Sequence, residues 1–252
     1  MNASDMNASN ADPSDIDPAA IEARLARVKA KRGYLLPHHG LMALLSQEVL
    51  DGYDAAYTAL ALSRKVLDDH DRETVWLAVL IATDEAIATH HIRKYFDAGG
   101  TLDDFAAINR LTAAALGATS FGFVETHWIA HLPGFDARTR YRESIERAAA
   151  PLAPRLYWPA ACAVQAARAR HDLLRWSIEA AYAAGVPERE LAEALAIMMF
   201  PGSVPHFVDA AGVWLDLIRE GKVKASPAFA AWAGLAGQAG YDGTLPETPE
   251  PR

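Results

Sequence analysis

The sequence predicts an all-α protein, and three observations support this. Of its 252 residues, 51% are hydrophobic, alanine dominates that fraction, and runs of strand-forming residues are sparse. Alanine and leucine favour helices over strands. Apolar residues recur at the three- and four-residue spacing of amphipathic helices along most of the chain. Two distant stretches also match each other, which indicates that one helical unit occurs twice.

The elements follow in order from the N-terminal end. Residues 1–20, MNASDMNASNADPSDIDPAA, are polar and of low complexity, so we expect a disordered tail. The stretch IEARLARVKAKRG has the pattern of a short amphipathic helix. DRETVWLAVLIAT is apolar throughout after its charged start, so we expect a helix buried on most sides. Between them, LDGYDAAYTALALSRKVL places an apolar face at helical spacing, formed by Leu50, Tyr53, Tyr57, Leu60 and Leu67.

The polar stretch DEAIATHH, residues 84–91, is predicted to open a further helix at Thr83 or Asp84. Either residue can cap a helix N-terminus. The free N–H groups and partial positive charge there favour a bound carboxylate or enolate. On such a helix Asp84 and His91 face the same way, about 10 Å apart along the axis. A small substrate would then lie between them.

Two stretches of the chain match at an offset of 86 residues without a gap, with Gly99 falling on Gly185 and Trp128 on Trp214. Aromatic and apolar positions between them also agree. We therefore predict a duplicated helical unit, and a chance match of two alanine-rich helical stretches is the alternative. The predicted division is a first repeat at residues 21–133, a second, degenerate repeat at 134–225, and a C-terminal helix with a loose tail at 226–252.

The stretch RETVWLAVLIATDEAIATHHIRKYFDAGGTLDDFAAI has a recognisable order of features. An Arg-Glu pair opens an apolar helix, a polar break leads to a second helix, and Ala-Gly-Gly precedes an acidic pair that caps the next one. This order resembles the carboxymuconolactone decarboxylase and AhpD-like family, closely over residues 30–130 and in outline over about 140–220. The resemblance implies an AhpD-like helical bundle that assembles as a homo-oligomer, such as a trimer or hexamer, with sites between packed helices.

The chain departs from the peroxidase branch of that family, which carries Cys-x-x-Cys followed by His. Counted back from Gly99, those places are Asp84, Ile87 and His91, and a register shifted by one residue contains no cysteine either. The single cysteine, Cys162, is expected to be a small buried hydrophobe. Because a peroxidatic thiol needs a thiolate and a resolving partner, a thiol peroxidase is the remote alternative.

The residues and the resemblance together predict a cofactor-free lyase that acts on a small anionic acid or lactone. Decarboxylation needs an acid to protonate the carbanion, which histidine supplies near neutral pH, and an arginine can hold the carboxylate. Glu73 would orient the histidine or relay its proton. The predicted catalytic residues are His91, His90, Glu73, Asp84 and Glu85. The predicted substrate-binding residues are Arg72, Arg93, His171 and His206.

Each of these residues also has a structural interpretation. A histidine pair on a helix is commonly a surface feature or a core histidine, and an acid in a first helical turn commonly complements the helix dipole. A noncatalytic helical oligomer or binding module is therefore the main alternative function. No metal site is predicted, because the HExxH spacing does not occur. Several potential ligands do share the first repeat: His90, His91, Glu85, Glu125, His127 and His131.

Composition excludes other classes of partner. The net charge of −8 is spread without a basic block, whereas nucleic-acid binding needs a clustered basic face. No apolar run reaches the roughly 18 residues that span a bilayer, and no basic segment precedes an apolar core as in a signal peptide. We expect a cytoplasmic protein whose partners are a small organic anion and further copies of itself.

Overall fold

A computed structural model of the protein describes residues 17–63, 66–238 and 240. The described residues form helices and no strand, so the all-α prediction is confirmed. The chain divides into two compact units, Met1–Ser63 and Arg64–Arg252. Among the described residues, no helix combines the length and the apolar character needed to cross a membrane.

The first unit contains α1 (Pro18–Arg32), α2 (Pro37–Leu45), α3 (Gln47–Tyr57) and a π-helical turn (Thr58–Leu62). The second unit contains α4 (Asp69–Ala82), α5 (His90–Asp97), α6 (Leu102–Gly117), α7 (Thr119–His127), a 3-10 turn (Ile129–His131), α8 (Ala137–Ala149), α9 (Pro154–Ala167), α10 (His171–Ala183), α11 (Glu188–Ile197), α12 (Val204–Arg219) and α13 (Pro227–Ala233).

Helix α1 begins inside the predicted disordered tail. The side chain of Asp17 accepts a hydrogen bond from the backbone N–H of Ala19, and Pro18 occupies the first helical position. Both features favour a helix start. Residues 18–20 are therefore helical rather than part of a tail, while residues 1–16 lie outside the described part of the chain.

A buried polar cluster lies beside the apolar core of the first unit. That core is formed by Val28, Ala43 and Leu50. The guanidinium of Arg32 pairs with Asp54 at 2.6 Å and also approaches the fully buried ring of His39, at 3.1 Å. Burial, with help from nearby cationic groups, lowers the pKa of His39 from 6.5 to about 4. The ring is therefore neutral near pH 7.

Helices α4 and α9 form the centre of the second unit and pack chiefly against each other. Ten of the 14 residues of α4 are buried, as are 11 of the 14 residues of α9. The expectation that the apolar stretch of α4 is buried on most sides is therefore confirmed. Helices α5 and α6 also pack against α4, while α10 and α11 pack against α9.

The prediction that a helix begins near Thr83 is wrong. Thr83 ends α4, and its hydroxyl donates a hydrogen bond to the carbonyl of Val79. Asp84 adopts a left-handed conformation with φ of 58°. The N–H of Glu85 then bonds to the carbonyl of Leu80, which closes the helix C-terminus. The chain turns through residues 83–89, and α5 begins only at His90.

The end of α9 repeats the turn found at the end of α4. Ala169 has φ of 50°, and the N–H of Arg170 bonds to the carbonyl of Gln165. This turn lies 85 residues beyond the turn at Asp84 (169 − 84), whereas Gly99 and Gly185, both with positive φ, are 86 residues apart. The duplication stays a prediction, and the predicted repeat boundary at residue 133 falls inside the second compact unit.

The segment 226–252 was predicted to hold a helix and a loose tail. It contains α13, from Pro227 to Ala233. The expected loose tail lies mostly outside the described residues, because residues 239 and 241–252 are not among them.

Candidate functional site

A buried carboxylate–imidazole pair joins α4 to α5. Oε2 of Glu73 lies 2.6 Å from Nδ1 of His91, and the side chains of both residues are 1% exposed. Glu73 lies in the second turn of α4 and His91 is the second residue of α5. The pair exists because the turn at residues 83–89 folds α5 back onto α4.

Arg72 adds a positive charge beside this pair. Its Nη2 lies 3.0 Å from the Asp69 carboxylate and its Nε lies 3.7 Å from Oε1 of Glu73. The Arg72 side chain is 8% exposed. Its Nε and Nη1, together with Oε1 of Glu73, are buried and have no hydrogen-bond partner. Buried groups of this kind are normally satisfied by water or a ligand, so the Arg72–Glu73 contact has unused hydrogen-bonding capacity.

Two rings cover His91. Trp76 stacks on it with ring centroids 4.4 Å apart, and the ring of His90 lies 4.3 Å away. Burial lowers the pKa of His91 below 6.5, although the hydrogen bond and charge of Glu73 act in the opposite direction. The neutral imidazole is therefore favoured near pH 7, with Nδ1–H donating to Glu73. Nε2 is then the nitrogen that can exchange a proton with another molecule.

An open groove of about 490 Å³ lies next to this pair, along α4 and the turn that follows it. Ala88, Thr89 and Ile92, which flank His91 in the sequence, are among its lining residues, but His91 itself is not. Asp84 and Glu85 also line the groove and are exposed. The remaining lining is apolar: Leu77, Leu80, Ile81, Ala86 and Phe105.

Asp84 does not share a helix face with His91 as predicted, because the residue lies in the turn before α5. The structure therefore places the acidic pair at the edge of an apolar groove. It does not place these residues at a helix N-terminus, so the helix dipole that was expected to hold an anion there is missing.

The other predicted substrate-binding residues have partners of their own. Arg93 is 86% exposed in its side chain and pairs with Asp97 on the same helix. His171, the first residue of α10, lies 3.7 Å from the Asp209 carboxylate. His206, in the first turn of α12, donates from Nδ1 to the carbonyl of Ala167 at 3.0 Å.

A second cleft, of about 510 Å³, lies between α7 and the start of α10. Its polar lining includes Arg170, His171 and His127, together with Asp172. His171 is thus a cleft residue, as a binding role requires, but the cleft is a different cavity from the groove beside Asp84.

Cys162 lies in the middle of α9 and is fully buried. Burial raises the pKa of its thiol far above the ordinary value. The thiolate needed for peroxide chemistry is therefore strongly disfavoured.

The potential metal ligands noted in the sequence do not come together in the described part of the chain. The one group of three such side chains found there consists of Asp68, His70 and Asp71, which lie at and just after the start of α4. Nδ1 of His70 is 3.4 Å from Asp71. Asp68 is exposed, and such acidic groups at a helix start are explained by the helix dipole.

Sequence reasoning missed two residues that shape the site. Trp76 covers His91, although its place in the buried face of α4 was visible in the apolar pattern. Glu193 on α11 accepts hydrogen bonds through Oε2 from the backbone N–H groups of Val66 and Leu67, at 2.8 and 2.9 Å. It fixes the segment that leads into α4, and the only signal was an acidic residue on the apolar face of α11.

The fold and the site define an all-α protein with a buried carboxylate–imidazole pair beside an arginine. No protein-family model, curated protein or solved structure matches the chain.

Proposed function

We propose that the protein is a lyase of the carboxymuconolactone decarboxylase type, which removes CO₂ from a small anionic acid or lactone by acid–base chemistry. The observation that carries this proposal is the hydrogen bond of 2.6 Å between Glu73 and His91 in a buried site. A fixed carboxylate sets the orientation of the imidazole and stabilises the imidazolium once it forms.

The proposed step needs one proton and no cofactor. The substrate C–C bond to its carboxylate breaks, the electron pair stays on the carbon as a dienolate, and CO₂ leaves. Protonated His91 then gives the Nε2 proton to that carbon and takes up another from solvent. Because burial lowers the pKa of His91, its imidazolium is a stronger acid than an ordinary histidine, and Glu73 keeps it in place through Nδ1.

The groove beside the turn at residues 83–89 is the proposed place for the apolar body of the substrate. Its volume of about 490 Å³ admits a small lactone. Asp84 and Glu85 at its edge repel a carboxylate, by about 1 kcal/mol for a charge 4 Å away in a water-like medium. The substrate carboxylate must therefore point away from them, and Arg72 is the nearest predicted clamp on the His91 side.

Access to His91 requires a neighbouring side chain to move, since its side chain is 1% exposed. His90 is half-buried and its ring lies 4.3 Å from His91. It is the covering ring that solvent already reaches, so its displacement would open a path to His91. Assembly into a trimer or similar homo-oligomer stays part of this proposal, and light scattering of the purified protein measures it.

The alternative is a noncatalytic helical module, and the burial of the pair favours it. A carboxylate and an imidazole that solvent hardly touches are also what a structural link between two helices requires. In that case the groove would bind a ligand without transforming it, and the Glu73–His91 hydrogen bond would only hold α5 against α4.

Activity measurements with conservative variants distinguish the two functions. CO₂ release is measured on a panel of small unsaturated lactone acids and β,γ-unsaturated acids. Three proteins are compared: the wild type, His91→Gln and the control His131→Gln, which changes an exposed histidine. The lyase predicts turnover that falls at least about 100-fold in His91→Gln and is unchanged in His131→Gln. No turnover of any panel member by the wild type would favour the binding module.

The pH profile tests the role of His91 as the acid. The rate of decarboxylation should rise as the pH falls from neutrality towards the pKa of His91, which burial places below that of an ordinary histidine, since only protonated His91 donates. A rate that is independent of pH across this range in the wild type would contradict the assigned role.

The double variant Asp84→Asn with Glu85→Gln tests the groove. Because it removes the repulsion of an anionic substrate, it should lower KM for such a substrate about 2- to 10-fold.

A further inference from the structure

A small cavity lined by aromatic side chains lies among α11, α12 and α13 of the second unit. Its volume is about 190 Å³. Four aromatic side chains line it: Phe207 and Trp214 of α12, and Phe229 and Trp232 of α13. Smaller apolar side chains complete the wall, among them Ala211. We call this space the aromatic cavity.

The aromatic side chains are arranged around Trp214. The Phe229 ring stacks on Trp214 with centroids 5.0 Å apart, and Trp232 meets it edge-on at 6.2 Å. Nε1–H of Trp214 donates to the hydroxyl of Tyr182 at 3.0 Å. The indole N–H is thus already used, so the Trp214 ring presents its apolar surface to the cavity.

Polar contacts at both ends hold α13 in place over the cavity. Before the helix, the N–H of Ser226 donates to Glu188 of α11 at 3.0 Å. At its end, Nε of Arg219 donates to the carbonyl of Ala233 at 2.8 Å. A wall fixed in this way is preformed, so a ligand does not bear the full cost of ordering α13 on binding.

The lining determines which chemistry the cavity accepts. None of the lining residues carries a charge, so a charged guest would gain no opposite charge from the wall while part of its hydration is displaced. Aromatic rings favour offset-stacked or edge-to-face contact with another ring. Dry apolar cavities of about 150 Å³ accommodate benzene, so 190 Å³ suits one ring with a small substituent.

We propose that the aromatic cavity is a binding site for a small neutral aromatic molecule of one ring. The site lies on α11, α12 and α13, and it does not include Glu73, His91 or the groove beside Asp84. The inference therefore stands independently of the proposed lyase activity, and its test reads binding rather than turnover.

The experiment compares three probes that share a ring and differ in charge: toluene, benzylammonium and benzoate. Isothermal titration and saturation-transfer NMR measure their binding to the full chain. We expect toluene to bind with a Kd on the order of 0.1 to 1 mM and each charged probe to bind at least about 10-fold more weakly. Equal or tighter binding of either charged probe, or no binding of toluene, would overturn the proposal.

Variants locate the binding. Ala211→Leu places extra carbon atoms in the cavity and should raise the Kd for toluene at least about 10-fold. Ala231→Leu is the matched control, because Ala231 lies on α13 and is exposed, and it should change the Kd less than about twofold. If Ala211→Leu does not fold by circular dichroism, Ala192→Leu replaces it, since Ala192 also lines the cavity and the larger side chain should likewise weaken toluene binding. Binding that survives the folded variant, or that is lost equally in the control, contradicts the site.

Discussion

Removal of the imidazole from the Glu73–His91 pair should destabilise the second unit strongly, whether or not the pair is catalytic. In His91→Ala, the buried carboxylate of Glu73 loses the hydrogen bond of 2.6 Å. Its remaining compensation is Arg72, whose Nε is 3.7 Å from the other carboxylate oxygen. The result is a poorly compensated charge in a site where the side chain is 1% exposed.

The expected cost follows from three contributions. A hydrogen bond to a charged group is worth about 1.5–3 kcal/mol. The lost stack on Trp76, at 4.4 Å, adds about 0.5–1.5 kcal/mol, and the cavity left by the ring adds more. The sum of about 3–5 kcal/mol agrees with the typical cost of breaking a buried pair. Glu73→Ala should cost about 1–3 kcal/mol, because it leaves a buried N–H of a neutral ring without an acceptor.

Urea unfolding followed by tryptophan fluorescence measures this effect in the right part of the chain. All six tryptophans lie in the second unit, so the signal reports on the unit that contains the pair. The double variant completes a thermodynamic cycle, and we expect a coupling of at least about 1.5 kcal/mol. His127→Ala, which removes an exposed ring, should cost less than about 0.5 kcal/mol. Additive single effects within about 0.5 kcal/mol would refute the reasoning.

Three further outcomes can be measured on the same protein. Gly100→Ala should lower the free energy of unfolding in urea by at least about 2 kcal/mol, since the added Cβ would lie 2.3 Å from the Tyr95 ring. Gly117→Ala is the control: its added Cβ meets nothing within 4 Å, so this variant should be neutral or stabilising. The free energy of unfolding of the first unit should be highest above pH 6.5 and should fall by up to about 3 kcal/mol as the pH drops towards 4. The reason is that folding lowers the pKa of His39 to about 4, so the unfolded state takes up the proton at a higher pH than the folded state does. Circular dichroism melts at several pH values measure this dependence, and His39→Asn should remove it. Cys162 should react with a thiol reagent only after unfolding in urea, since burial raises its pKa, and rapid labelling of the native protein would contradict that.

The all-α class and the buried helix α4 could be predicted, because both depend on the composition and apolar periodicity of short stretches of sequence. The end of α4 could not, since Thr-Asp can cap a helix start or end one. In this chain the Thr83 hydroxyl bonds back to the preceding turn, and Asp84 takes the left-handed conformation that closes the C-terminus. Aspartate tolerates that conformation better than most residues, so the residue type fits both interpretations and only packing decides between them.

The candidate site was predictable only in part. Glu73 and His91 are 18 residues apart on different helices, and no local pattern states that they touch. The resemblance at the Arg-Glu pair suggested that Glu73 serves the histidine, and the structure brings the two together. The aromatic cavity gave no usable signal, because Phe207 and Trp214 on α12 meet Phe229 and Trp232 only after α13 folds back over them.

The charges at the ends of α4 and α9 set a condition for the proposed lyase. The two turns share the same left-handed backbone at Asp84 and Ala169, but the residues that follow line cavities of different character. Glu85 follows in the groove of α4, whereas Arg170 and His171 follow in the cleft of α10. By charge alone, a carboxylate prefers the cleft. An acid that binds only there would be in a different cavity from the one next to His91, and decarboxylation by His91 would be ruled out. Titration of a substrate analogue that carries a carboxylate, followed through the backbone NMR signals of the protein, therefore tests the lyase directly. Broadening of the Ala88 and Ile92 signals supports the lyase. Broadening confined to the signals of residues 169–173 refutes it.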